Sequence, residues 1–72
     1  MDLQKGDRVE YLYGVFRGFL GTVKFVNDVE CLVEFDEEHP LLHNGGGTGD
    51  LRTLPNRGLW CELKTLKKRL GD

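Results

Sequence analysis

Val29, Cys31, Val33 and Phe35 alternate with Glu30, Leu32, Glu34 and Asp36 in the stretch "VECLVEFD". A strict period of two puts four apolar side chains on one face of an extended chain. An α-helix would scatter the same residues around its axis, so this stretch dictates a half-buried strand. A strand needs neighbours, and the rest of the chain supplies them. "RVEYLY", residues 8–13, places Val9, Tyr11 and Tyr13 on one face, with Arg8 and Glu10 opposite. Residues 20–26 give a second strand, with Val23 and Phe25 facing inward and Thr22 and Lys24 outward. Asn27-Asp28 is a turn signal between two apolar runs and predicts a hairpin there.

Residues 37–57, "EEHPLLHNGGGTGDLRTLPNR", contain two prolines and lack any regular period. So long a connection reads as a binding loop or a partly disordered one. "LWCEL" then gives a fourth strand, with Leu59, Cys61 and Leu63 on one face and Trp60 and Glu62 on the other. "KTLKKRL" is either a helical turn leading into a last short strand or a basic tail over residues 64–69. The chain of 72 residues allows a single domain, residues 1–72. No repeat or linker divides it.

Glycine punctuates the first half at Gly6, Gly14, Gly18 and Gly21. The spacing Gly6-Asp7, Val9, Gly14, Phe16-Arg17-Gly18, Gly21 and Val23 resembles the KOW motif of small SH3-like barrels. The "VEFD" hairpin and the His/Gly-rich loop before a tryptophan strand are similar to those of small single-domain phage and prophage proteins. The resemblance implies an all-β fold: a small five-stranded SH3-like barrel with a long loop between strands 3 and 4. In such a barrel the glycines belong to sharp corners, where positive φ or close backbone approach is needed.

Charge is unevenly distributed. Residues 1–27 sum to +1, residues 28–50 to −7 and residues 51–72 to +4. That is a dipolar surface rather than an overall basic footprint. Two cysteines, Cys31 and Cys61, are too few for a disulfide scaffold and read as small buried apolar residues. There is no long apolar run, and "MDLQKGDRVE" lacks the pattern of a secretory signal, so a cytoplasmic location is expected.

No catalytic constellation emerges. His39 and His43 lie near Asp36, Glu37 and Glu38, but at the mouth of a long loop in a chain too small to enclose much, so they read as solvated residues. Pro40 between the histidines opposes helical alignment of a metal-binding pair. "HNGGGTGD" lacks the lysine of a phosphate loop and has acidic flanks. No cofactor and no metal are expected, and the chain is expected to bind rather than to catalyse.

Two binding readings follow. In the first, Tyr13, Phe16, Arg17, Phe19 and Trp60 form an aromatic-basic patch. Glu34, Asp36, Glu37 and Glu38 then suit a host or cognate protein with a basic surface. The phage-like resemblance implies a factor that inhibits or modulates a host protein. In the second, implied by the KOW resemblance, Arg17, Lys24, Lys64, Lys67, Lys68 and Arg69 contact RNA or DNA. The acidic third strand and loop oppose a phosphate backbone on their side, which favours the protein partner. No membrane is expected as a partner.

Overall fold

The computed structural model of the protein describes residues 3–45 and 51–69. Five strands, β1 (Arg8–Tyr11), β2 (Leu20–Val26), β3 (Glu30–Phe35), β4 (Gly58–Glu62) and β5 (Leu66–Lys68), form one antiparallel sheet in the order β4-β3-β2-β1-β5. The fold is all-β, with short 3-10 turns at Gly14–Phe16 and Leu63–Thr65. The described residues span 26 × 24 × 22 Å, so the sheet is curled around its core rather than flat.

The sheet does not close into the barrel that the sequence suggested: β4 and β5 are its two edges. Only the 3-10 turn Leu63–Thr65 separates β4 from β5. It carries the chain across the end of the core to β1 instead of returning it along β4. All three residues of β5 pair with β1, so "KTLKKRL" takes the turn-and-strand alternative over residues 63–68.

The core lies on the concave face. Val9, Val23, Cys31, Val33 and Leu66 are fully buried, and Phe35 is 1% exposed. Each such aliphatic or aromatic side chain contributes roughly 1.5–3 kcal/mol on burial. Leu3 and Leu42, neither placed by periodicity, complete the core from outside the sheet. Gly21, within β2, stands where a Cβ would lie 2.7 Å from Val33 Cγ1 and 2.8 Å from the Glu34 carbonyl oxygen. Its task is close approach of β2 to β3, not a turned corner.

Three local expectations need correction. β1 ends at Tyr11, two residues early, because Gly14 (φ 67°) opens a 3-10 turn and leaves Tyr13 57% exposed. The alternation sets Val29 on the face of Cys31, Val33 and Phe35, but it sits in the hairpin turn, 72% exposed. There the Asn27 side-chain oxygen accepts hydrogen bonds from the Val29 and Glu30 amides at 2.8 and 2.9 Å. Phe25 was also placed inward. β2 carries a bulge at Lys24: Val23 pairs with Val33, but Phe25 pairs with Leu32. The extra residue turns Phe25 to the outer face and returns Val26, opposite Cys31, to the core.

The described parts of the long loop are tied down. His43 and Gly58 exchange backbone hydrogen bonds at 3.0 and 2.7 Å, and the Thr53 amide donates to the Asn44 carbonyl at 2.9 Å. Leu42 and Thr53 are buried. The tip, including Gly46, Gly47 and Asp50, lies outside the described residues. Among the described residues no helix is long and apolar enough to cross a membrane.

Candidate interaction surface

The two faces of the sheet gather different aromatic groups. On the core face, Phe35 of β3 meets Tyr11, Phe16 and Phe19 at ring distances of 6.0, 6.0 and 5.6 Å. Hydrogen bonds from the Tyr11 amide to Phe19 O (2.9 Å) and from the Gly18 amide to Tyr11 O (2.8 Å) close the base of the 12–18 loop. That closure tucks Phe16 back under the loop, where it is buried. His39 stacks edge-on against Phe16 at 5.0 Å, while its Nδ1 accepts from the Leu41 amide at 3.0 Å. His43 Nδ1 likewise accepts from the Gly45 amide at 2.9 Å. Each histidine thus uses one ring nitrogen to hold its own loop. Glu38, His39, Pro40 and Asn56 border an open depression of about 300 Å³.

On the outer face a second row crosses three strands. Phe25 is the register partner of Leu32, and Leu32 is the partner of Trp60. The Phe25 and Trp60 rings meet edge-on at 5.8 Å. Leu32 is fully buried between its neighbours, while Phe25 and Trp60 remain partly exposed. Two positions along the ladder, on the same face, Glu30 and Glu62 stand directly opposite each other, both exposed. Like charges at opposed positions oppose pairing. Lys64 reaches Glu62 at 3.6 Å with both side chains largely exposed.

The residues expected to form one patch are therefore divided. Phe16 belongs to the core and Phe19 is half-buried beside it; Tyr13 and Arg17 are exposed on the 12–18 loop. Trp60 belongs to the opposite face, next to Phe25. Three of the four expected acids, Asp36, Glu34 and Glu38, have structural partners. Arg8 holds Asp36 through both carboxylate oxygens, the Nη1–Oδ1 contact being 2.8 Å. Those hydrogen bonds keep the Asp36 carboxyl below the usual aspartate range. Glu34 accepts from the Leu54 amide at 2.7 Å, and Glu38 lies 3.9 Å from Arg57. Glu37 is exposed.

Two of the basic residues are similarly engaged. Lys68 pairs with Asp7 at 3.3 Å, and Arg69 with Glu10 at 3.1 Å. Asp7 also accepts from the Gln4 amide, and this bond chiefly lowers its pKa. Lys67 is exposed on β5, and Lys24 occupies the bulge. Among the described residues no three His, Cys, Asp or Glu side chains are grouped to hold a metal ion.

Sequence reasoning missed Phe25, Leu32, Glu30 and Glu62 as members of one surface. A signal was present. Val26 and Cys31 flank the hairpin turn and share a face, as do Val23 and Val33. Val23 and Val26 are three residues apart, so both can face inward only across an extra residue. Comparison with protein-family models, characterised proteins and solved structures finds no match to this chain.

Proposed function

We propose that the chain is a non-enzymatic, SH3-like binding module of the cytoplasm that acts through contact with another protein. We further propose the role of a phage or prophage factor that modulates a host protein. The strand order and the 3-10 turn between β4 and β5 support the SH3-like part of this reading. The observation that carries the binding part is the outer-face row Phe25–Leu32–Trp60, an apolar strip away from the core that ends on the opposed carboxylates Glu30 and Glu62. Partly exposed aromatic groups with a charged rim are the usual anchors of protein interfaces. The rim's sign fits a partner with a basic surface.

A KOW-type nucleic-acid role needs cations available to phosphates. Of the six expected cations, Lys68 and Arg69 instead face Asp7 and Glu10, which favours the protein partner, while Arg17, Lys64 and Lys67 stay exposed. Binding to RNA and DNA at two salt concentrations separates the readings. The protein reading expects weak binding that changes little in a Lys67/Lys68/Arg69→Ala variant. Tight, steeply salt-dependent binding that this variant abolishes would replace it with the nucleic-acid reading.

A further inference from the structure

Cys31 of β3 and Cys61 of β4 are register partners, both buried, with Sγ atoms 3.9 Å apart. Cys31 and Cys61 stand at a hydrogen-bonded position of the ladder, where opposed Cβ atoms are about 5.5 Å apart, roughly 1 Å beyond the 3.5–4.5 Å of a disulfide. Side-chain rotation with a small shift of the edge strand therefore suffices to join the sulfurs. Packing alone does not ask for two thiols here, since a pair of small aliphatic residues fills the same space. We propose that Cys31 and Cys61 form a reversible oxidation site at which a hydroperoxide converts the thiol pair into a cross-strand disulfide that locks edge strand β4 to β3.

Access favours Cys61. β4 is an edge strand, and local opening exposes edges first. Cys61 is 8% exposed and Cys31 fully buried. The hydrogen bond between the thiols favours the same order: it lowers the pKa of Cys61 and, together with burial, raises that of Cys31. The Cys61 thiolate attacks the outer peroxide oxygen, the O–O bond breaks, and the released alkoxide takes a proton to leave as the alcohol. Cys61 is now a sulfenic acid. The Cys31 sulfur then attacks the Cys61 sulfur. The S–S bond forms, the S–O bond breaks, and the hydroxyl leaves as water with the Cys31 proton. The two thiols together lose two electrons, and the peroxide gains them.

The resulting ring encloses the whole of residues 37–57. A cross-link around a loop of this length stabilises chiefly by restricting the unfolded chain. The test is to treat the full chain with stoichiometric hydrogen peroxide, then record intact mass, free thiols and thermal melting. The expected product is a monomer that has lost two hydrogens and both thiols. Its Tm should be at least about 5 °C higher, and a reductant should reverse the change. A Cys31→Ser variant treated alike should hold a sulfenic acid at Cys61 that dimedone traps. Persistence of both thiols, disulfide-linked dimers, sulfinic acid without a cross-link, or a disulfide that fails to raise Tm would overturn the proposal. The wild-type measurements decide the matter even if the Cys31→Ser variant does not fold.

Discussion

The two faces of this sheet use similar residues for different ends. On the concave face, Phe35 is 1% exposed and meets Tyr11, Phe16 and Phe19. On the outer face, Phe25 and Trp60 meet across Leu32, but both residues stay partly exposed. The first group closes a core. The second is bordered by two opposed carboxylates, which no stability argument requires. An aromatic residue's role here follows from the face it occupies, and the bulge at Lys24 decides that face for Phe25.

The largest effect separates the faces by stability. Phe35→Ala should cost about 3–5 kcal/mol, a large part of the stability of so small a domain. Trp60→Ala, removing a half-buried ring, should cost about half as much. Urea unfolding of the two variants checks this; equal losses would make the outer row a second core.

A smaller effect tests the bulge. Deleting Lys24 leaves Val23 opposite Val33 and Phe25 opposite Leu32 in an uninterrupted ladder. The variant should fold with a loss of about 1 kcal/mol and keep the Phe25–Trp60 ring contact in NOE spectra. Deleting Thr22 instead shifts a regular part of the strand by one residue and should unfold the protein. Loss of the ring contact on Lys24 deletion would contradict the assignment of faces.

The smallest effect concerns acid. Arg8 lowers the Asp36 pKa, so the associated stability is complete above the ordinary aspartate range and is lost as pH falls through the lowered value. The Asp36 side chain is 51% exposed, so the amount is below about 1 kcal/mol. Asp36→Asn should lose this amount near neutral pH and flatten the acid limb of stability against pH; an unchanged limb would discount the pair.

Much of this was legible in the sequence. The alternation of residues 29–36 located β3, and the inward placement of Cys31, Val33 and Phe35 holds. So does the division of the fourth strand, with Leu59 and Cys61 on one face and Trp60 and Glu62 on the other. What alternation cannot reveal is where it breaks. The Lys24 bulge reversed Phe25, and the closed base of the 12–18 loop drew Phe16 into the core. Leu3 and Leu42 reach the core from segments with no period, so only the fold identifies them. The acids were visible as a run, but their roles depend on partners distant in sequence, such as Arg8 for Asp36 and the Leu54 amide for Glu34.

If the outer row and its carboxylates serve binding, a reversed charge at Glu30 weakens the partner's grip without weakening the fold, and Glu30→Lys reads this out. The substitution places a cation opposite Glu62, so folding stability should hold or rise by about 0.2–1 kcal/mol. A protein retained by the wild-type chain from bacterial lysate is identified, and its affinity is measured against both forms. The account predicts at least a tenfold loss of affinity in a variant that is no less stable. Equal affinity for the two forms would contradict it.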